Sequence, residues 1–170
     1  MNPSLAENRT LSIISYNIKY DNKLDNTNTW EARRNDLLNI FKDNEPSFIG
    51  IQEGLQHQVD YIKLNLPNYD YIGSGRDDGK TKGEFCAIYY DSSEYNLLKQ
   101  STFWLSSNPL EVSVGWDAAL ERICTYGYFE HKNSDKRIWV FNTHFDHIGR
   151  ISREESSKLI LDQISKLNGF

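Results

Sequence analysis

Two apolar segments of the sequence end in polar side chains that are suited to metal-assisted hydrolysis. The first, Phe48–Gln52, is followed by Glu53, and the second, Ile138–Phe141, runs into His144. An unpaired carboxylate is costly to bury, so a strand that ends in one places it where the sheet stops. We therefore expect Glu53 and His144 to lie on one rim.

Glu53 and Asn17 carry the oxygen atoms that a hard cation prefers. Mg²⁺ in proteins usually takes one or two carboxylates and keeps positions for water and phosphate, which makes Glu53 a candidate anchor. Glu53 can equally be a solvated residue at a helix N-terminus, where the helix dipole favours negative charge. Asn17 follows an apolar strand and can orient a phosphate oxygen or a metal-bound water, or it can simply form a turn.

His144 is the strongest single catalytic candidate. Asn142, Asp146 and His147 are its polar neighbours in the sequence, and histidine changes charge near neutral pH. A protonated His144 would attract a phosphate oxygen. Glu84 is its natural partner if the two strands are adjacent, because a carboxylate raises the pKa of a histidine and keeps it protonated. Glu84 can also be a surface acid that follows a turn.

Guanidinium groups bind phosphate well, and two arginines precede predicted strands. Arg122 leads into a strand that runs toward the same rim, so phosphate binding and simple solvation remain equally open for it. Arg76 stands beside two aspartates, and we interpret it as a solvated loop residue. Among the loop aromatics, Trp116 is the one available to a ligand.

The apolar spacing of the first third of the chain predicts a strand, a helix, a strand and a helix. The first strand covers Leu11–Tyr16. A helix begins near Trp30, with Asn28 or Thr29 as its cap, and ends before Pro46. The strand Phe48–Gln52 and a helix from Leu55 to Leu66 come next.

The remainder of the chain predicts closely spaced strands and one final helix. Turn residues separate five strands, which suggests an antiparallel meander. The predicted strands are Tyr69–Ile72, Glu84–Tyr90, Tyr95–Leu105, Ile123–His131 and Lys136–Phe145. A capping box at Ser152–Glu155 starts the last helix, and Asn168 with Gly169 ends it.

Composition limits the functional classes. The chain has 170 residues, the size of one domain, and its apolar runs are too short for a membrane span. Its net charge of −5 disfavours a nucleic-acid partner without excluding one. The first ten residues lack a secretory signal, so the chain as written is cytoplasmic, but a removed signal would make it secreted or periplasmic. Cys86 and Cys124 are expected to be core thiols rather than a disulfide.

Five short motifs, in their order and spacing, resemble those of the endonuclease/exonuclease/phosphatase superfamily. They are Ser15–Asn17, Ile51–Glu53, Gly83–Tyr90, Arg122–Thr125 and Asn142–His147. The resemblance implies hydrolysis of a phosphoester that depends on Mg²⁺ or Mn²⁺, on a four-layered α/β sandwich. It also implies site roles: Glu53 as the metal carboxylate, His144, Glu84 and Asn17 as catalytic residues, and Arg122 and Asn142 as substrate-binding residues.

The sequence departs from the family pattern after His144, because the Gly-Asp-x-Asn and Ser-Asp-His motifs are absent. We therefore expect residues 1–170 to form a single truncated domain: a partial sandwich with one mixed, mostly antiparallel sheet and helices on its outer face. Little or no activity is expected of this form, and a non-enzymatic binding or assembly module is the alternative. An exposed sheet face would favour a homodimer. The phosphoester substrate is not specified.

Overall fold

The computed structural model describes residues 10–168, which form three helices and seven strands in two sheets. The helices are α1 (Trp30–Asn44), α2 (Gln56–Asn65) and α3 (Arg150–Asn168). The strands are β1 (Ile13–Asn17), β2 (Phe48–Gln52), β3 (Tyr69–Ile72), β4 (Ile88–Asp91), β5 (Tyr95–Trp104), β6 (Ile123–His131) and β7 (Arg137–Thr143). The predicted mixed α/β class is confirmed. No helix within residues 10–168 is long and apolar enough to cross a membrane.

The first sheet has the strand order β1-β2-β4-β3, with β1 parallel to β2 and the other pairs antiparallel. Every residue of β2 is buried. One face of this sheet packs against α1 and α2 through a core that includes Trp30, Phe41, Ile49, Ile51 and Val59. Because β1 and β2 are parallel, with Asn17 paired to Gln52, their carboxyl ends meet at one edge of the sheet.

The second sheet has the antiparallel order β5-β6-β7. Its inner face packs on the first sheet around Phe48, Ile88, Phe129 and Val140. Its outer face is covered in part by α3, through residues that include Phe103, Leu105, Leu159 and Ile160. The layers are therefore helices, sheet, sheet, helix.

The division into two sheets differs from the single sheet and meander that the sequence suggested. β4 lies between β2 and β3, and the chain then leaves the first sheet to build the second. The physical reason is the composition of β2: a strand that is apolar on both faces needs cover on both. α1 and α2 cover one face, and the second sheet covers the other.

Two predicted boundaries are displaced at the edges of the candidate site. Glu84 lies outside β4, in an irregular segment where Phe85 forms isolated bridges with Gly54 and Gly75. The last helix begins at Arg150 rather than at the capping box. Thr29 caps α1 as one of the two predicted residues, accepting a hydrogen bond from the Ala32 N–H at 3.3 Å. The predicted stop at Gly169 lies outside the described residues.

Candidate functional site

Asn17 and Glu53 meet where β1 and β2 end. The Asn17 amide donates to Glu53 Oε1 at 2.8 Å, and the backbone N–H of Tyr20 donates to Glu53 Oε2 at 3.2 Å. Glu53 itself adopts a left-handed backbone conformation, with φ of 63°. Such strained residues are concentrated at functional sites. The two side chains therefore form one polar unit rather than two separate strand ends.

Among residues 10–168, the Glu53 carboxylate has neutral hydrogen-bond donors but no cationic partner. No ion pair within residues 10–168 includes Glu53, although its side chain is half-buried. The same residues contain no group of three or more His, Cys, Asp or Glu side chains that could hold a metal. Mg²⁺, unlike a structural zinc ion, needs only one or two carboxylates and retains several waters. The donor set of Glu53 and the Asn17 amide therefore fits a hard, partly hydrated cation.

His144 follows β7 directly and is half-buried, and its buried Nδ1 atom has no hydrogen-bond partner in the part of the chain that the structure describes. Burial lowers the pKa of His144, and the positive charge of Arg122 lowers it further, while Glu53 acts in the opposite direction. This direction contradicts the expectation of a histidine kept protonated by a carboxylate. The described geometry favours a neutral His144 near pH 7.

Glu84 is paired with Arg76 instead of His144. Arg76 donates to both carboxylate oxygens of Glu84, at 2.9 and 3.2 Å, and its side chain is only 11% exposed. Arg76 is therefore not the solvated loop residue that the sequence suggested. Burial raises the pKa of Glu84, although the Arg76 charge opposes this. The glycine-rich run from Gly73 to Gly83 was a usable signal, because it lets the chain fold back and bring Arg76 to Glu84.

A small polar pocket is lined by residues that belong to or adjoin both sheets. His144, Glu84 and Arg122 all line it, and the remaining lining residues are Arg76, Cys86, Glu121 and Ile123. The charge of Glu53 acts on both His144 and Glu84. The structure therefore brings together Asn17, Glu53, Glu84, Arg122 and His144 at one end of the sandwich.

Arg122 is fixed by the segment that follows His144. Its Nε donates to Asp146 Oδ1 at 3.2 Å, and its Nη2 lies 2.9 Å from Nδ1 of His147. Both Arg122 and Asp146 are buried. Burial would raise the pKa of Asp146, but hydrogen bonds from the Gly149 and Ile148 N–H groups, from Arg122 and from the Ala119 N–H hold it well below its usual range. Asp146 is thus a charged anchor for Arg122.

Asn142 occupies a different place from the other predicted site residues. Its amide nitrogen donates to the carbonyls of Ile51 and Ala87 at 2.7 and 2.9 Å, and its Oδ1 accepts from Gln52 at 2.7 Å. These contacts tie the second sheet to the first. The substrate-binding role predicted for Asn142 has no support in its contacts, which are those of a buried structural residue.

Two further predictions concern residues beside the site. Cys86 and Cys124 are buried and free, and burial raises the pKa of the Cys86 thiol to about 12. They are core thiols, as expected. Trp116 is 42% exposed and has a positive φ of 48°. Its availability to a ligand stays a prediction.

Comparison with known proteins gives the same fold. An endonuclease/exonuclease/phosphatase from Bacteroides vulgatus superposes with a TM-score of 0.91 and 41% identity, covering 94% of this chain and 61% of that protein. A mannosyl-6-phosphatase from Bacteroides thetaiotaomicron gives a TM-score of 0.91 and 39% identity, covering 93% and 60%. The chain belongs to the endonuclease/exonuclease/phosphatase superfamily. No family sequence model matches it.

One sequence relative is a viral protein. An uncharacterised protein of Acanthamoeba polyphaga mimivirus is 36% identical over 126 residues, covering 69% of this chain and 46% of that protein. The chain thus spans about half of the viral relative and three fifths of the two Bacteroides structures. The solved structures that share this fold include phosphatases.

Proposed function

We propose that the end of the sandwich carrying Glu53 and His144 is a divalent-cation-dependent phosphoester hydrolase site. One observation carries the proposal. The half-buried Glu53 carboxylate has no cationic partner among the described residues, and its charge affects the pKa of His144, which lines a pocket together with Arg122. A carboxylate left in this state is suited to a cation that is supplied from solution. The positive groups around it are suited to an anion.

Glu53 and the Asn17 amide are the groups that would hold the cation, with Mg²⁺ or Mn²⁺ as the ion. The amide nitrogen of Asn17 donates to Glu53 Oε1 and its oxygen accepts from the Lys19 N–H, so Asn17 would orient Glu53 and offer the second lone pair of its oxygen to a water of the cation. A bound divalent cation would supply positive charge to a phosphate oxygen. The Tyr20 N–H would still orient the second Glu53 oxygen.

His144 and Arg122 are the side chains that would bind the phosphate directly. Two nitrogens of the Arg122 guanidinium are held by Asp146 and His147, and Nη1 has no acceptor within residues 10–168. The pocket has room for only about one water-sized group, so a phosphate would reach into it with a single oxygen, whose negative charge beside His144 would oppose the lowering of its pKa. His144 would then take up a proton and donate a hydrogen bond to a phosphate oxygen.

We expect slow turnover, because two carboxylates close to the pocket, Glu84 and Asp146, are already engaged. Glu84 is held by Arg76 and Asp146 by Arg122, so neither is free to take a proton from water. Binding of cation and phosphate is therefore expected to be easier to detect than hydrolysis. A binding or assembly module that retains this polar end remains the second candidate function.

A small phosphate ester is the substrate class that we favour, with a sugar phosphate as the first choice. The relative from Bacteroides thetaiotaomicron, 39% identical, is a mannosyl-6-phosphatase. The net charge of −5 provides no general attraction for a polyanion such as DNA or RNA. Nucleic acid is therefore a less favoured substrate.

Cation binding tests the first part of the proposal. Isothermal titration with Mn²⁺ should give one saturable site in the native chain, and Glu53→Gln should abolish it. Glu154→Gln is a matched control, since Glu154 is an exposed helical acid that pairs with Lys158. Unchanged Mn²⁺ binding in Glu53→Gln would refute the assignment of Glu53.

Hydrolysis tests the second part. Mannose 6-phosphate and a chromogenic phosphodiester, each assayed with Mn²⁺ and with a chelator, should show slow cation-dependent release that His144→Ala removes. His57→Ala is the control, because His57 is an exposed histidine of α2 that pairs with Asp21. Saturable cation binding with no hydrolysis of either compound would favour the binding module.

A further inference from the structure

Side chains from two helices, α1 and α2, form hydrogen bonds with the turn that follows β1. Lys19, in this turn, adopts a left-handed conformation with φ of 55°, which side chains other than glycine rarely adopt. Its N–H donates to the side-chain oxygen of Asn17 at 2.9 Å. The next residue, Tyr20, supplies the N–H that binds Glu53. The conformation of Lys19 therefore determines how both groups meet the Glu53 carboxylate.

Gln58 is one of the two side chains that fix this turn. It belongs to α2 and is completely buried. Its amide nitrogen donates to the Lys19 carbonyl at 3.1 Å, and its oxygen accepts from the N–H of Asp21 at 3.1 Å. The same oxygen accepts from the Leu55 N–H at 3.1 Å, at the start of α2. Gln58 thus holds the turn on both sides of Tyr20.

Arg33 is the second side chain, and it reaches the turn from α1. Its Nη2 donates to the Lys19 carbonyl at 2.5 Å, and its Nη1 donates to the carbonyl of Ile18. The guanidinium also lies over the Trp30 ring, 5.5 Å from its centroid. Charge-assisted hydrogen bonds of this kind restrain a backbone more strongly than neutral ones. Two independent helices therefore converge on one carbonyl group.

We propose that Gln58 and Arg33 are positioning residues of the cation site: they hold Lys19 in its left-handed conformation, so that Asn17 and the Tyr20 N–H orient Glu53. Neither side chain contacts the Glu53 carboxylate. The inference rests on the proposed cation site. It deepens that proposal by naming the residues that indirectly orient the proposed cation ligand, Glu53. Groups that orient a metal ligand typically change metal affinity by about 10- to 100-fold when they are replaced.

Mn²⁺ titration of two variants and two matched controls tests the proposal. Gln58→Met removes one donor to the Lys19 carbonyl, and Arg33→Lys removes the paired guanidinium contact to the Ile18 and Lys19 carbonyls; each should weaken Mn²⁺ binding by about 10- to 100-fold. Gln56→Met is the control on α2, because Gln56 bonds Asp60 and not the turn. Arg34→Lys is the control on α1, because Arg34 stacks on Tyr61 instead. Both controls should bind Mn²⁺ as the native chain does.

A second measurement needs no metal and separates this inference from the proposed function. In metal-free protein, hydrogen exchange at the Tyr20 amide should be faster in Gln58→Met and Arg33→Lys than in the native chain, and unchanged in both controls. Equal Tyr20 protection in all five proteins would overturn the positioning role. Absence of Mn²⁺ binding in the native chain would instead refute the cation site. Should Gln58→Met fail to fold, Arg33→Lys decides the question.

Discussion

Asp146 is a stabilising residue in the described structure, although it lies two residues from His144. Its carboxylate pairs with the buried Arg122 and accepts from the N–H groups of Ile148 and Gly149. Asp146→Asn would leave the Arg122 charge buried without its partner, which costs about 3–5 kcal/mol. Urea denaturation should show this loss. Asp162→Asn, which breaks an exposed pair with Lys166, should cost less than about 1 kcal/mol.

The same residue predicts acid sensitivity. The pKa of Asp146 is lower in the folded chain than in the unfolded chain, so its contribution to stability is complete above the unfolded value and is lost as the pH falls below it. The ordinary pKa of an aspartate side chain is 3.8. Unfolding free energies measured from pH 6 down to pH 2 should decline in the native chain more steeply than in Asp146→Asn. Parallel curves would contradict this assignment.

His144 should titrate in the opposite sense from the sequence-based expectation. Its pKa is lowered from 6.5, so the folded state resists protonation and stability falls as the pH drops below that value. NMR titration should give His144 a midpoint below 6.5. Glu53→Gln should lower the midpoint further, because the Glu53 charge is the group that opposes the shift. A midpoint above 6.5 would instead support the expectation that His144 is protonated.

The sequence predicted the residue types at the site better than their partners. Glu53 and His144 were found because each ends an apolar strand, and the structure places both at one end of the sandwich. The Arg76–Glu84 pair was missed, because the glycine-rich run from Gly73 to Gly83 indicates that the loop can fold back but does not specify which side chains then meet. Asn142 has the same local pattern as His144, and only the packing of the two sheets shows that it is buried between them.

At the level of elements, apolar periodicity predicted the strands and helices but not their pairing. The predicted bounds of β2, β3 and β6 agree with the structure, because these segments are rich in aromatic and β-branched residues. The choice between one sheet and two depends on which faces need cover. Single-sequence periodicity contains no information on contacts between distant segments.

The start of α3 also depends on a contact between distant segments that the local sequence does not predict, and this contact can be tested. The N–H groups of Ile151 and Ser152 donate to the carboxylate of Asp117, at 3.2 and 2.6 Å, across 34 and 35 residues. Asp117 thus caps a helix whose local sequence predicted a later start. Asp117→Ala should lower the unfolding free energy by about 1 kcal/mol, and Asp117→Asn by less, because asparagine also caps well. Thermal denaturation measures both.

At the scale of the whole molecule, β1 has one strand partner within residues 10–168. It pairs only with β2, which leaves its other edge without a described strand, and Ile13 is 53% exposed beside that edge. Such an edge with an exposed apolar side chain is a template for pairing with another chain. The homodimer predicted through an exposed sheet face stays a prediction, and we propose instead that the chain self-associates through the edge of β1.

Light scattering across a concentration series tests the association and its location. The mean mass should rise with concentration in the native chain, and Ile13→Lys should reduce this rise, because a charge on an edge strand disfavours pairing. Leu64→Lys is the matched control, since Leu64 is 81% exposed on α2, away from the edge. If the native chain stays monomeric at millimolar concentration, self-association through β1 is excluded. If both variants reduce the mass equally, a general loss of surface hydrophobicity explains the effect instead of strand pairing.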